Sequence, residues 1–485
     1  MRESVFQKSV AGRRGFQFPE LDVEESDTPS WILRQDGNGM PSLSELDVIR
    51  HYTNLSRLNF SVDTHFYPLG SCTMKYNPKI NEQIAGLDGF VNIHPYQPEI
   101  QVQGALEAIY ELERILGEVS GFPHVSLSPS AGAQGEYAGV MVIKKYFESK
   151  NETRSVVIIP DSAHGTNPAS AAMAGFKIKT VKSNESGMVD VEHLKSLLNK
   201  DVACIMLTNP NTLGLFEKDI LEISALLKAN GSLLYYDGAN LNAIVGKVRP
   251  ADMGFDVMHI NLHKTFSTPH GGGGPGCGPV LVSDELKEFL PYPRVVKQPV
   301  EKNPAGVEKP EYVVEDRKEA SIGRIRWFYG NFLVILKAYT YALTLGRDGL
   351  EKVSERAVLN ANYLKERLKK TFHLPYDSIC MHEFVLSLKS LKSQHGVSAL
   401  DVAKRLIDAG IHPPTMYFPL IVPEAMMIEP TETESKETLD AFLTVMEEIY
   451  KESVSQKENV TGAPFNMPVR RLDEVKAVKE PRLTL

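Results

Sequence analysis

Cysteine is scarce in this chain, which excludes a disulfide framework of the kind that small secreted proteins use. The 485 residues include only Cys72, Cys204, Cys277 and Cys380, and their spacing matches no common metal motif. We therefore expect reduced thiols, a cytoplasmic location and no metal site. For Cys72 and Cys277 an inert thiol is favoured, and a redox role stays open.

Long apolar runs and an excess of positive charge are missing as well. The longest apolar stretch, Phe332 to Leu345, contains Lys337 and is too short and too polar to span a bilayer. The first eight residues lack the apolar centre of a signal peptide. The net charge is −8, which argues against nucleic acid or an anionic membrane as the main partner. We expect a globular chain without either partner.

Short apolar runs separated by helix-length segments dominate the middle of the sequence. The runs lie at 155–160, 203–208, 232–237, 257–260 and 280–282. This alternation is typical of an α/β fold with a mostly parallel sheet between helices, in which ligands bind beyond the carboxyl ends of the strands.

Flanking segments have a different pattern. The first hundred residues read as irregular, whereas after Gly330 a long helix at 331–345, an alternating strand at 384–388 and amphipathic helices suggest a smaller α+β domain. We expect an arm at 1–100, a large domain at 101–330 and a small C-terminal domain at 331–485.

Lys264 stands directly after the apolar run 257–260 and just before a glycine-rich loop at 271–276. A lysine in this place can hold an aldehyde as a Schiff base, and the glycines allow the backbone to approach a flat phosphorylated ligand. Pyridoxal phosphate (PLP) is the cofactor that needs both. Taken alone, the segment also fits a solvated lysine beside a loose loop.

Asp237 ends the preceding apolar run, so it can pair with the protonated pyridine nitrogen of PLP. The alternative is a plain strand-end aspartate that caps the next helix. Lys264 follows one strand later, and its presence favours the cofactor role. His164 also follows a strand, and its ring could stack on the pyridine, unless it is an ordinary hydrogen-bonded loop histidine.

Other candidates surround these three. Ser130, Ala131, Gly132, Ala133 and Gln134 open an apolar helix whose first N–H groups could hold a phosphate, although a capped helix without a ligand fits equally well. Thr208 ends a strand and could reach the cofactor or form an Asx turn, and we also expect a cofactor contact from His263. Arg324 and Arg326 could bind a carboxylate, although arginines are more often solvated.

The motifs together resemble the P-protein family of the glycine cleavage system, glycine dehydrogenase (decarboxylating). The matching stretches are 69–75, 161–167, 235–240, 261–279, 413–415 and 429–434. The single-chain form of that family is longer, and this sequence resembles its carboxyl-terminal, lysine-bearing half. The closer likeness is therefore to the second subunit of the two-subunit bacterial type.

This resemblance implies a PLP-dependent, aspartate-aminotransferase-like (fold type I) large domain with a smaller C-terminal α+β domain. It implies that Lys264 forms the Schiff base, that Asp237 pairs with the pyridinium, that His164 stacks on the ring and that 130–134 is the phosphate loop. Lys264, Asp237 and His164 are then the expected catalytic residues.

The implied oxidoreductase reaction removes CO2 from glycine and transfers the aminomethyl group to the lipoyl arm of the H-protein. The implied partner is a related subunit without the lysine, in a two-plus-two heterotetramer. A free-standing PLP-dependent amino-acid decarboxylase or aminotransferase of the same fold is the alternative. A non-catalytic scaffold subunit is a third possibility, which the presence of Lys264 disfavours.

Overall fold

The computed structural model describes residues 3–24, 27–34, 39–272, 274, 276–299 and 311–483. Gly273 and Pro275 of the predicted glycine loop lie outside the described residues. The chain divides into two compact units, Met1–Ser61 and Val62–Leu485. The described part of the first unit contains the helix α1 (Glu45–Ser56), which begins with a capping box between Ser44 and Asp47.

The second unit contains a large mixed sheet. Its described strands are β1 (His124–Ser126), β2 (Val156–Pro160), β3 (Lys177–Val181), β4 (Val202–Thr208), β5 (Leu233–Gly238), β6 (Val257–Ile260) and β7 (Val280–Val282). They lie in the order β1-β7-β6-β5-β4-β2-β3. Strands β2 to β6 run parallel, whereas β7 is antiparallel to β1 and β6. The predicted, mostly parallel sheet is confirmed.

Helices pack on both faces of this sheet. They are α4 (Gln103–Ser120), α5 (Gly132–Ser149), α6 (Thr166–Met173), α7 (Val191–Leu197) and α8 (Ile220–Asn230), and the short helices α2 (Lys79–Ala85) and α3 (Asp88–Val91) precede them in the chain. Alternate residues of β2 join different cores, because successive strand side chains point to opposite faces. Ile158 packs in the cluster that contains Leu112 of α4, and Val157 packs in the one that contains Ile143 of α5.

The later part of the chain forms smaller sheets and further helices. A two-stranded antiparallel sheet pairs β8 (Arg294–Lys297) with β9 (Tyr312–Glu315). A long helix, α9 (Phe332–Leu368), is interrupted at Gly346, which has φ 61° and ψ −172°. The remaining elements are β10 (Phe384–Ser387), α10 (Lys389–His395), α11 (Ala399–Asp408), β11 (Thr415–Met416), β12 (Ala425–Ile428), α12 (Lys436–Ser455), α13 (Glu458–Thr461) and α14 (Glu474–Lys479).

Strands β10, β12 and β11 form an antiparallel sheet in that order. Phe384 and Ile428, which pair across β10 and β12, pack with Val402 of α11 and Met446 of α12 in a core of their own. Sheet and helices together give the α+β arrangement expected after Gly330.

Some expectations fail in instructive ways. The first hundred residues are not wholly irregular, because they contain α1, α2 and α3. The edge strand β3 went unpredicted because Lys177 and Lys179 replace the apolar residues of a buried strand; lysines are a common protection of sheet edges. None of the described helices is long and apolar enough to cross a membrane.

Candidate active site

Six predicted site residues lie around one cavity at the carboxyl ends of the central strands. The described lining consists of Ser71, Gly132, Ala133, Glu136, His164, Thr166, Thr208, Thr212, Asp237, Ala239, His259, Asn261 and Lys264. The parallel register explains the convergence: Thr208 of β4 pairs with Asp237 of β5, and Asp237 pairs with His259 of β6. Lys264 follows β6 by a short turn, in which its N–H donates to the carbonyl of Asn261.

Asp237 is a buried carboxylate with several hydrogen-bond partners. Its Oδ2 accepts from Asn167 Nδ2 at 3.0 Å and its Oδ1 accepts from the N–H of Ala239 at 2.9 Å. The Nε2 of His259 lies 3.3 Å from Oδ1. Burial by itself raises the pKa of Asp237, but attraction by His259, the Asn167 amide and Lys264 outweighs it, so the pKa lies below its usual value. Asp237 is therefore an anion that can hold a cation in the cavity.

A second carboxyl, Glu136, lies beside Asp237. Its Oε2 accepts from Thr166 Oγ1 at 2.9 Å and from Asn167 Nδ2 at 3.0 Å. Burial and repulsion by Asp237 raise the pKa of Glu136 to about 7. Because one of two close carboxyls then keeps a proton readily, the negative charge concentrates on Asp237.

His259 connects this pair to the sheet core. Its Nδ1 lies 2.7 Å from the Tyr235 hydroxyl, and burial lowers the pKa of His259 despite the nearby Asp237. One carboxylate oxygen each of Glu136 and Asp237 and one ring nitrogen of His259 lie within 4.8 Å of one another. The group can thus hold a positive centre, either a metal ion, which the sequence did not lead us to expect, or a protonated ring nitrogen.

Lys264 contributes its amine to the same lining. Its Nζ donates to the carbonyl oxygen of Ser71 at 2.8 Å. Its charge also acts on Asp237 and His164. The amine and the carboxylate therefore face one cavity from neighbouring strands, as a cofactor held at both ends requires.

The first turn of α5 forms another wall of the cavity. Its N-cap residue, Ala131, makes no side-chain cap bond within the described structure, so the N–H groups of the first turn are available to an anion. A side chain at Gly132 would bring its Cβ to 2.6 Å from Asn261 Oδ1. The close approach of α5 to the β6 turn therefore requires glycine at this position.

The outer residues of the predicted phosphate loop make hydrogen bonds within the chain. The N–H and hydroxyl of Ser130 both donate to Gln134 Oε1, at 2.7 and 2.8 Å, and Gln134 Nε2 donates to the carbonyl of Ile325 at 3.0 Å. Ser130, Ala131 and Gln134 are outside the described lining. These hydrogen bonds fix the conformation of the loop.

The predicted histidines differ in position. His164 lines the cavity and its Nδ1 lies 2.9 Å from Thr166 Oγ1. Burial, then Lys264, lowers the pKa of His164, which favours a neutral ring that can stack on a flat ligand. His263 is outside the described lining and packs edge-to-face on His270, with ring centroids 5.1 Å apart. Burial lowers the pKa of His263 to about 3.

Neither predicted arginine contacts the cavity as the described residues define it. Arg324 is exposed and forms an ion pair with Asp316. Arg326 Nη1 donates to Asn331 Oδ1 at 2.5 Å. The thiols are unactivated: burial raises the pKa of Cys277 to about 12 and also raises that of Cys72.

Glu136, Asn167, His259, Asn261 and Ser71 were not predicted as site residues. A signal existed for some of them, because Asn167 and Asn261 lie within the stretches 161–167 and 261–279 and His259 is a polar residue in a buried strand. Nothing in local sequence indicates the contact of Ser71 with Lys264, which joins residues far apart in the chain.

Comparisons with known proteins place this arrangement in context. Residues 353–467 match the family model described as glycine dehydrogenase, C-terminal domain, and residues 134–296 match aminotransferase class-V. The chain is 56% identical over 479 residues to the probable glycine dehydrogenase (decarboxylating) subunit 2 of Thermotoga maritima, covering 99% of this chain and 98% of that one. The corresponding protein of Caldanaerobacter subterraneus subsp. tengcongensis is 57% identical over 482 residues, covering 98% and 97%.

Solved structures share the fold. A crystal structure of glycine decarboxylase (P-protein) of the glycine cleavage system, in inhibitor-bound form, aligns with a TM-score of 0.72 and 21% identity, over 87% of this chain and 93% of that chain. A cysteine desulfurase from Thermococcus onnurineus aligns with a TM-score of 0.59 and 16% identity, over 80% and 95%. The predicted aminotransferase-like fold is confirmed.

Proposed function

This chain belongs to the glycine dehydrogenase (decarboxylating) subunit 2 family, and we propose that it binds PLP and decarboxylates glycine in the glycine cleavage system. One observation carries the proposal: Lys264, after β6, and Asp237, at the end of β5, face the same cavity beside a helix N-terminus. An amine, a buried anion and free N–H groups match the aldehyde, the pyridinium and the phosphate of this cofactor.

The side chains present fit that cofactor in further respects. The hydroxyl of Thr208 is buried at the cavity and has no hydrogen-bond partner among the described residues, so it can serve a polar group of the ring. Gly132 lets the start of α5 approach Asn261, with whose side chain a Cβ would collide. We propose direct contacts from Gly132, Ala133, His164, Thr208, Asp237 and Lys264, and supporting roles for Ser130, Ala131, Gln134 and His263.

When bound, PLP supplies an electron sink for the electron pair that the departing carboxylate of glycine leaves behind. Asp237 keeps the proton on the ring nitrogen and so maintains the strength of that sink. Lys264 holds the aldehyde carbon between turnovers, and its released amine can move a proton at the reacting carbon. His164, as a neutral ring, covers one face of the cofactor site and limits the access of water.

We also propose that the chain assembles with a related subunit lacking the lysine, as two plus two, in the cytoplasm. Lipoylated H-protein is the proposed acceptor of the aminomethyl group. The relatives are named subunit 2, which supports the existence of a partner subunit. The separate core around β10 to β12 supports a small C-terminal domain, which we propose at 331–485 beside a large domain at 101–330 and an arm at 1–100, although the part of α9 up to Val353 packs in the core of the large sheet.

Borohydride reduction tests the role of Lys264. Reduction of the PLP-loaded enzyme should fix a pyridoxyl label on the peptide that contains Lys264 and remove the visible absorbance band. Lys264→Ala should show neither band nor label, whereas Lys79→Ala, which changes an exposed lysine, should keep both. A label on another peptide, or a fully active Lys264→Ala enzyme, would contradict the proposal.

Exchange of bicarbonate into the carboxyl group of glycine separates this function from its alternative. We expect exchange that depends on lipoylated H-protein and on the partner subunit. A free-standing decarboxylase or aminotransferase of the same fold would act on its substrate without either protein. Full activity of the isolated chain would refute the two-subunit proposal.

A further inference from the structure

A second cluster of buried ionisable side chains lies next to the turn that binds Lys264. His382, Glu383 and Glu429 are each 0% exposed. A ring nitrogen of His382 and one carboxylate oxygen of each glutamate lie within 4.8 Å of one another. Their proximity follows from strand register. Phe384 of β10 pairs with Ile428 of β12, so the residues just before and just after that pair, Glu383 and Glu429, come side by side.

Both carboxyls hold the backbone of one turn. The N–H of Ser71 donates to Glu383 Oε2 at 2.7 Å. The N–H of Thr73 donates to Glu429 Oε2 at 2.9 Å, and its hydroxyl donates to Glu429 Oε1 at 2.5 Å. Ser71 and Thr73 have φ of 62° and 49°, a conformation that residues with a side chain rarely adopt. The two carboxyls therefore secure a strained turn.

The turn that the two carboxyls hold also contacts Lys264. The carbonyl oxygen of Ser71, whose N–H is bound by Glu383, accepts from Lys264 Nζ at 2.8 Å. One residue thus connects a small-sheet carboxyl to the amine of the cavity. A change at Glu383 or Glu429 should reach Lys264 through this connection.

The charges around the pair limit its ionisation. His382 Nε2 is 3.9 Å from an oxygen of each carboxyl, and burial lowers the pKa of His382 to about 3, so its ring is neutral. Burial and mutual repulsion raise the pKa of Glu383, and burial raises that of Glu429 to about 7. Lys264 is the nearby cation that acts on all three groups.

Among the described residues, the other groups that face the pair supply no second positive charge. The Asn240 amide approaches Glu383 Oε1 at 3.4 Å, and the Cys72 thiol is neutral because burial raises its pKa. Glu432 also acts on Glu429, but it is already paired with Lys75 at 2.7 Å. Two buried carboxylates would then face one lysine, which favours retention of one proton between them.

We propose that Glu383 and Glu429 are positioning residues that share one proton and hold the Ser71–Thr73 turn so that Lys264 stays directed into the cavity. The proposal rests on the function proposed above for Lys264. Neither carboxyl touches the reacting atoms; both act through the turn and through the single negative charge that they present to the lysine.

Glutamine substitutions test the shared proton. A glutamine oxygen still accepts from a backbone N–H, so Glu383→Gln or Glu429→Gln imitates the protonated partner, while the double variant removes the negative charge. In the holoenzyme, the pH midpoint of the visible absorbance change should stay nearly constant in each single variant. It should fall by about one pH unit in the double variant, because a nearby cationic centre loses its counter-charge.

Hydrogen exchange of the cofactor-free chain gives an independent readout. In Glu429→Ala, which removes both acceptors of Thr73, amide exchange of the 71–73 turn should rise about tenfold or more, and the single glutamine variants should remain close to the unmodified chain. Glu424→Gln is the matched control, since Glu424 accepts from the N–H of Ala399 in the same small sheet region but is not linked to the turn. It should change neither measurement.

The outcomes separate this proposal from the function on which it rests. If either single glutamine variant shifts the midpoint as much as the double variant, the shared proton is refuted. A double variant with unchanged midpoint, together with unchanged exchange in Glu429→Ala, refutes the positioning role while borohydride still labels Lys264. One tightly bound metal ion per chain would make the cluster a metal site instead. Absence of any Lys264 label in the unmodified enzyme overturns both proposals.

Discussion

The contacts of Lys75 allow a quantitative prediction of the stability that is lost when this residue is replaced. Lys75 belongs to the segment that also carries Ser71. Its side chain is 1% exposed. Nζ lies 2.7 Å from Glu432 Oε1 and from the carbonyl oxygen of Thr265, 2.9 Å from Asn242 Oδ1 and 3.1 Å from the Tyr341 hydroxyl, so four acceptors share its three N–H donors. Thr265 follows Lys264 directly, so this one ammonium group ties the segment to the cavity.

Replacement of Lys75 by methionine keeps the approximate volume but leaves Glu432 as a buried carboxylate without its counter-ion. Removal of one partner of a buried ion pair costs about 3–5 kcal/mol of unfolding free energy. For a cooperative unit of roughly 420 residues, an unfolding entropy of about 2.1 cal/mol/K per residue gives about 0.9 kcal/mol/K. The melting temperature should therefore fall by about 3–6 °C.

Lys79→Met is the matched control, because Lys79 also pairs with a carboxylate, Asp63, at 2.7 Å but is 55% exposed. An exposed pair contributes about 0–1 kcal/mol, so Lys79→Met should change the melting temperature by about 1 °C or less in scanning calorimetry. Adding Glu432→Gln to Lys75→Met should recover part of the loss. Equal shifts in Lys75→Met and Lys79→Met would refute the reasoning.

The pH dependence of this effect has a definite sign. Burial lowers the pKa of Lys75, but attraction by Glu432 and Tyr341 outweighs it and the pKa lies above its usual value of 10.5. A raised lysine pKa gives stability that is complete below the unfolded pKa and is lost only as pH rises through the folded one. The stabilising effect of the Lys75 charge should therefore persist up to about pH 9, and the difference between unmodified protein and Lys75→Met should shrink at acidic pH, where the uncompensated Glu432 of the variant takes up a proton.

Two further predictions concern the anionic side of the cavity. Asp237→Ala should retain the visible band of bound cofactor but lower the rate of bicarbonate exchange by about 10²–10³-fold, since the sink is weakened; a normal rate would remove Asp237 from its proposed role. Glu136 has a pKa raised to about 7 by burial and Asp237, so folding favours its protonated form and stability is lost as pH rises from about 4.5 to 7. Glu136→Gln should remove that loss, which makes its melting temperature increasingly higher than that of the unmodified chain between pH 5 and pH 7.5; a constant difference would contradict the assignment.

The sequence was sufficient where function depends on strand order. Apolar runs predicted β2, β4, β5, β6 and β7, and in a parallel sheet the residues that follow such strands meet at one edge. That rule alone brings Thr208, Asp237 and Lys264 together. The search for apolar runs missed β3, because its lysines interrupt the apolar pattern. The short helices among the first hundred residues were also missed.

Side-chain contacts between remote segments were not predictable in the same way. Arg324 fits a carboxylate site by type, yet its ion pair with Asp316 keeps it on an exposed loop. Ser71 has no local feature that marks it, yet its N–H and carbonyl join Glu383 to Lys264. Periodicity reports which face of an element is buried, whereas such contacts depend on the register of a distant sheet.

The cavity is therefore best understood as a joint product of the seven-stranded and the three-stranded sheet of the second unit. The large sheet supplies Asp237 and Lys264 from neighbouring strands, and the small sheet supplies Glu383 and Glu429, which secure the turn that meets Lys264. A strained turn persists only where its surroundings overdetermine it. Substitutions that loosen the small sheet should therefore release the lysine, although no residue that lines the cavity is replaced. Variants far from the cofactor site can consequently change cofactor binding while the carboxylate and the helix N-terminus remain in place.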